Sequence, residues 1–165
     1  MALRTVLEYP DPRLRAISKP VDRFDAALAD TVTDLIDTMH ASNSIGLCAP
    51  QIDVLKRVLV MDHTEDHSDP QVFINPIVDA RRNLGLIEER CLSVPDVSAF
   101  VLRATEIDLR ACDLEGREFE CTLSGMPAVT LQHEMDHFEG KLVADRVNWF
   151  KRRRLRAAER RAASV

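Results

Sequence analysis

Gln132-His133-Glu134-Met135-Asp136-His137 is the stretch around which the rest of the chain has to fold. It sets two imidazoles four residues apart with a carboxylate between them, and on an α-helix positions i and i+4 share one face. His133 and His137 can therefore hold one metal ion while Glu134 projects beside it. The carboxylate serves a different purpose from the imidazoles, since it can take the proton of a water as that water attacks and return it to a leaving amine. The flanks support a helix. Ser124 or Gly125 can cap it, Pro127 suits the first turn, and Gly140 stands where a left-handed C-terminal cap would stop it. Val129, Leu131, Met135 and Phe138 place apolar groups around much of the cylinder, which predicts a helix buried in the domain. A buried helix carrying two histidines, a glutamate and an aspartate has to give them partners, and a metal does so most simply.

Such a site needs a third protein ligand and one position left open for water. The long zinc-peptidase signature puts a third histidine at position 143, which here is Val143, and past Gly140 the only glutamate is Glu159, in a basic run. The third ligand is therefore expected upstream, and cysteine is the residue type that fits. Cys112 and Cys121 fall in alternating patterns and read as small buried thiols on strands. Cys48 and Cys91 sit in segments that read as irregular, 44–51 and 88–93, and either is a candidate.

The remaining pattern predicts an α+β class, with antiparallel sheets packed around a buried metal-binding helix, an N-terminal amphipathic helix and a basic C-terminal helix. Phe24, Leu28, Val32, Leu35, Ile36 and Met39 recur at helical spacing, giving a helix over 25–40. Strand-like runs follow at 56–61, 71–74, 99–104, 106–112 and 118–123, with a hairpin turn at 113–116. Residues 63–69 read as a solvated polar loop, with His63 and His67 facing water.

At 165 residues with 45% apolar content, the chain is expected to be one domain, a catalytic body over 1–150 and a basic helix over 151–165 belonging to it. That last segment carries seven Lys and Arg against Glu159 alone, on a chain whose net charge is −5. It reads as a dock for polyanions on an acidic body. Four cysteines with one spent on a metal leave an odd number, which suits a reducing compartment better than a disulfide framework. The first ten residues hold Arg4 and Glu8 and no long apolar core, and no stretch approaches the ~20 apolar residues of a membrane span. Cytoplasm is the expected location, with no membrane partner and no specific DNA binding.

Three separated segments match one family. Gly46-Leu47 followed by Ala49 and Gln51, then Glu89 with Cys91-Leu92-Ser93, then Gln132 to His137 with Gly140, together resemble the signature motifs of peptide deformylases. These enzymes remove the N-formyl group from the initiator methionine of new bacterial and organellar proteins. Tyr9 to Arg15, Ile74-Asn75-Pro76 and the Arg-rich end are similar to the family too, so nearly the whole chain is covered. The resemblance implies that Cys91, His133 and His137 bind the metal and that Glu134 is the general acid and base. It implies that Gln51 and the backbone N–H of Leu92 donate to the formyl oxygen, where fixed donors typically contribute a few kcal/mol. Gly46, lacking a Cβ, would let substrate backbone pass close, and Ile45 with Leu92 would line the methionine pocket. The implied ion is Fe(II), with Zn(II), Ni(II) or Co(II) able to occupy the site. The implied partners are an N-formyl-methionyl peptide and, through the basic C-terminal helix, the ribosome near its exit tunnel. The implied location is a cytoplasm of bacterial type.

The chain departs from the family pattern at several positions. Arg90 stands where the family usually has Gly before the ligand cysteine, Ser44 where its first motif begins with Gly, and Cys48 where Ala is usual. Ser98 stands where many members carry an Arg facing the substrate. A positive φ at Arg90 would cost roughly 1 kcal/mol or more, and its long cation could cover the groove or select an acidic group in the substrate. These departures keep two other readings open, a ribosome-associated binding module that has lost catalysis and an amidase for another small amide.

Overall fold

Val58–Met61 is apolar at every position, the mark of a strand covered on both faces. Alternate side chains go to opposite layers. Val58 and Val60 pack with Leu35 and Met39, whereas Leu59 and Met61 pack with Phe73, Leu131 and Phe138. Around this strand the computed structural model, which describes residues 3–147 and 149–162, arranges five strands and three α-helices. In chain order these are α1 (Ala26–Ala41), β1 (Gly46–Cys48), β2 (Val58–Met61), β3 (Gln71–Cys91), β4 (Val94–Cys112), β5 (Glu118–Ser124), α2 (Met126–Phe138) and α3 (Trp149–Ala162). Short 3-10 turns at Pro12–Arg15, Ala49–Ile52 and Val143–Asp145 complete the path.

The strands form one antiparallel sheet in the order β1-β2-β3-β4-β5, so the predicted antiparallel sheets are a single meander. The first helix matches its expectation closely: the Asp25 carboxylate caps it by accepting from the Leu28 N–H at 3.2 Å. Strand lengths differ more. Runs 99–104 and 106–112 are one strand, and run 71–74 is only the start of a 21-residue β3. The continuation was illegible because residues 81–84 are all exposed, so no apolar alternation marks the strand there. Segments 44–51 and 88–93, read as irregular, contain β1 and the β3–β4 turn.

Helix α2 starts after Gly125 and ends before Gly140, whose φ of 62° is the left-handed cap expected of it. A Cβ at Gly140 would lie 2.5 Å from the Arg15 carbonyl oxygen, so glycine is required for space as well. A third apolar cluster joins Leu7, Leu14 and Leu142 to Val94 and Val97 at the start of β4, and Leu155 of α3 packs against it. Among the described residues no helix is long and apolar enough to cross a membrane.

Candidate active site and metal centre

Strands β3 and β4 turn on only two residues, Leu92 and Ser93, with Cys91 paired to Val94. This tight turn carries the Cys91 thiol to α2, where its Sγ lies 3.3 Å from His137 Nε2. Cys91, His133 and His137 bring one ligand atom each within 4.8 Å of one another. The helical spacing places the two rings on one face, their centroids 5.4 Å apart.

Each imidazole is held differently. His133 Nδ1 lies 2.9 Å from Glu89 Oε2, which leaves Nε2 for an ion, the carboxylate–histidine arrangement that fixes ring orientation in metal sites. Glu89 in turn accepts from Arg103 of β4 at 2.7 and 3.0 Å, and Arg103 also pairs with Asp136 at 2.9 Å. Burial opposes ionisation of Glu89, yet the hydrogen bonds from His133 and Arg103 prevail and hold its pKa at about 2. Burial would also lower the pKa of His133, but its contacts with Cys91 and Glu89 push it well above the usual value. His137 goes the other way. Burial, reinforced by the neighbouring His133 and Arg103 charges, lowers its pKa to about 3, so it is a neutral imidazole ready to donate its lone pair.

Glu134 is 4% exposed and its Oε2 has no hydrogen-bond partner among the described residues. Burial raises its pKa above the ordinary glutamate value, the direction a general base needs to work near neutrality. Gln51 is oriented from both ends. Its carbonyl oxygen accepts from the Cys48 N–H at 3.0 Å and the Cys48 thiol at 3.2 Å, while Nε2 donates to Ser93 Oγ at 3.1 Å and lies 3.7 Å from Cys91 Sγ. The amide nitrogen is thereby aimed at the metal side of the site.

These groups line a cavity of about 320 Å³ together with Ile45, Gly46, Arg90 and Leu92. Ser44, Ile45, Arg90 and Leu92 are also walls of a wider groove of about 760 Å³. Gly46 lies tight against α2: a Cβ there would lie 2.6 Å from Thr130 Cγ2 and 3.1 Å from Glu134 Oε1. Arg90 has no positive φ and continues β3 without backbone strain. Its partner across the hairpin is Ser98.

All nine residues singled out from the sequence line this cavity except His137, whose Nε2 reaches Cys91 from beneath the exposed rim. Cys48, the other candidate thiol, also groups with Glu134 and His137 within 4.8 Å. It is fully buried, bonded to Gln51, and burial drives its pKa well up, which keeps it a thiol. The sequence reading assigned no part to the Glu89–Arg103–Asp136 chain. A buried arginine on a strand was the available signal, but its partners lie 14 and 33 positions away in sequence, on other elements.

Comparison with known proteins gives a consistent result. The family model described as Polypeptide deformylase matches residues 3–153. A peptide deformylase of Azotobacter vinelandii is 45% identical over 157 residues, 94% of either chain. The crystal structure of a peptide deformylase from Legionella pneumophila superposes with a TM-score of 0.89 at 39% identity, covering 99% of this chain and 96% of that one. A peptide deformylase from Ehrlichia chaffeensis in complex with actinonin gives a TM-score of 0.87 at 32% identity over 94% of each chain.

Proposed function

The chain belongs to the polypeptide deformylase family and is a metal-dependent deformylase of nascent chains, and from this premise we propose how its residues divide the work. Cys91, His133 and His137 hold the ion, Glu134 is the general acid and base, and Gln51 with the Leu92 N–H receives the developing oxyanion. The observation that carries the assignment is the convergence of three ligand-type atoms within 4.8 Å beside a buried, half-unpartnered carboxylate. The donor set fits a divalent ion: one thiol, one neutral imidazole and one imidazole whose far nitrogen is already tied to Glu89.

A divalent ion bound there supplies Lewis-acid polarisation of the formyl carbonyl and makes water a nucleophile at neutral pH. Glu134 accepts the proton of the attacking water as the carbon–oxygen bond forms. Gln51 Nε2–H and the Leu92 N–H donate to the formyl oxygen as it gains charge, a contribution typically of a few kcal/mol per donor. Glu134 then delivers its proton to the departing amine nitrogen, the carbon–nitrogen bond breaks, and formate leaves. The edge of β1 at Gly46 lines the cavity and offers its backbone to the peptide, the missing Cβ keeping β1 clear of Thr130 and Glu134, and Ile45 and Leu92 flank the methionine side chain. Leu92 and Gln51 crowd the attacked carbon, which admits formyl and excludes larger acyl groups.

Fe(II) is the ion we assign to the native enzyme, and Zn(II), Ni(II) and Co(II) suit the same donors. Residues 1–150 are read as the catalytic unit and 151–165 as a basic segment of the same domain, of which the part up to Ala162 belongs to α3, with Leu155 packed on the core, and 163–165 lie outside the described residues. We assign that helix to ribosome contact and the enzyme to the cytoplasm of a bacterial-type cell. Truncation after Phe150 should lower co-sedimentation with ribosomes, and unchanged co-sedimentation would remove the docking role. Actinonin, bound by the Ehrlichia relative, is expected to enter the same groove here.

The assay is formate release from N-formyl-Met-Ala-Ser by protein purified anaerobically with Fe(II), beside the N-acetyl analogue. Release from the formyl peptide alone supports the reading. Turnover of both peptides would favour a broader amidase, and turnover of neither with stoichiometric metal would favour the binding-module alternative.

A further inference from the structure

A second convergence of metal-ligating side chains involves no residue of the catalytic cavity. His40 in the last turn of α1, Asp62 just past β2 and His67 in the loop to β3 bring one ligand atom each within 4.8 Å of one another. His40 Nε2 is 3.2 Å from Asp62 Oδ2, and the His40 and His67 rings lie with centroids 4.7 Å apart. The loop reading from sequence holds for His63, which is exposed, but His67 turns inward.

Three observations make this more than a surface pairing. Asp62 is 1% exposed, and its Oδ1 is taken by the Thr64 N–H at 2.9 Å and the Thr64 hydroxyl at 2.5 Å, which leaves Oδ2 for the histidines. His67 Nδ1 is covered and has no hydrogen-bond partner among the described residues, an orphaned polar atom on a half-buried side chain. His67 also adopts a φ of 55°, a conformation uncommon outside glycine, at the point where its ring packs against that of His40.

We propose that His40, Asp62 and His67 form a second divalent-metal site, with water completing the coordination. Two imidazoles and a carboxylate suit Zn(II), Ni(II), Co(II) or Cu(II). Bond lengths near 2.0–2.1 Å around a tetrahedral ion set ligand atoms about 3.3 Å apart. The His40–Asp62 separation of 3.2 Å already meets that spacing, and His67 is carried by a loop that can close the remainder. Asp62 donates its backbone N–H to the Ile45 carbonyl at 3.1 Å, next to Gly46 on the wall of the catalytic cavity. An ion here ties the 62–70 loop to the end of α1 and steadies the strand edge along which substrate runs.

The test uses the full-length holoenzyme loaded with one equivalent of Ni(II), freed of excess metal and titrated with Zn(II) under native mass spectrometry. The proposal expects a species with one Ni and one Zn at micromolar Zn(II), and a rise in thermal midpoint as it forms. His67→Ala, a loop substitution that leaves the core intact, should weaken the second ion by more than the roughly 10–100-fold that loss of an outer-shell partner causes. His40→Ala should do the same. The proposal is overturned if total metal stays at one per chain, whether or not Zn replaces Ni. It is equally overturned if the second ion binds both variants as it binds the wild type.

Discussion

Replacing Gly46 by alanine adds a methyl group where β1 lies tight against α2. The new Cβ lies 2.6 Å from Thr130 Cγ2 and 3.1 Å from Glu134 Oε1, whereas carbon atoms rest at about 3.5–4.0 Å. Strand and helix must separate by about 1 Å, or the two side chains must leave their rotamers. Neither element is free to move: Gly46 is paired with Met61 in the sheet, and Thr130 is 7% exposed on a helix packed into the core. Overpacking of this kind costs about 1–3 kcal/mol. Because one of the two displaced groups is the proposed general base, and a 1 Å misplacement can cost about 100-fold, kcat/KM for formate release should fall by about two orders of magnitude. Urea unfolding gives the first quantity and steady-state kinetics the second. The double variant Gly46→Ala/Thr130→Ser removes the 2.6 Å contact and keeps the one with Glu134. Relative to Thr130→Ser alone it should regain most of the lost stability but only part of the lost rate. A single variant with wild-type midpoint and kinetics, or a double variant as unstable as the single, would refute the reasoning.

Glu134→Gln should retain stoichiometric metal by elemental analysis while kcat falls about 10²–10⁴-fold; loss of the ion instead would mean that Glu134 is a ligand. Since burial raises the Glu134 pKa and catalysis needs its carboxylate, the acid limb of the pH–rate profile should lie above the ordinary glutamate range, and a limb within that range would contradict the burial argument. Glu89 has a folded pKa of about 2 against an ordinary glutamate value of 4.5. A depressed carboxylate contributes stability that is present above 4.5 and lost as pH falls toward 2, so acid unfolding of the apo protein should be less steep in Glu89→Gln across that window. The same variant should bind metal about 10–100-fold more weakly through loss of the His133 brace; wild-type affinity by competition with a chelator would count against that role. Arg90→Gly should lower the preference for formyl-peptides bearing acidic side chains over neutral ones, and an unchanged ratio of kcat/KM would remove Arg90 from substrate selection.

Two kinds of information separate in this molecule. The position of His133, Glu134 and His137 on one helix was legible because helical periodicity is local: it depends on residues four apart and on caps at either end. The same holds for α1, with its Asp25 cap and apolar stripe, and for the hairpin turn at 113–116. The distal half of β3 was not legible, because residues 81–84 are all exposed and the covered face beyond them carries Gly85 and the buried charge Glu89, which break an apolar period. Nor was the partnership of Glu89, Arg103 and Asp136, or that of His40, Asp62 and His67, since each joins elements far apart in the chain.

The cysteines show the division most sharply. Residue type and spacing narrowed the expected third metal ligand, a thiol, to Cys48 or Cys91, and family resemblance favoured Cys91. Placement followed from strand register: a two-residue turn carries Cys91 to within 3.3 Å of His137, while Cys48 is sealed against α2 with its thiol on Gln51. The amino-acid sequence by itself determined the chemistry available along one helix, because neighbours in the chain are neighbours on its face. Only the tertiary structure decided which distant side chains meet that face, because hairpin pairing and two-sided burial of β2 arise from the packing of all the elements together.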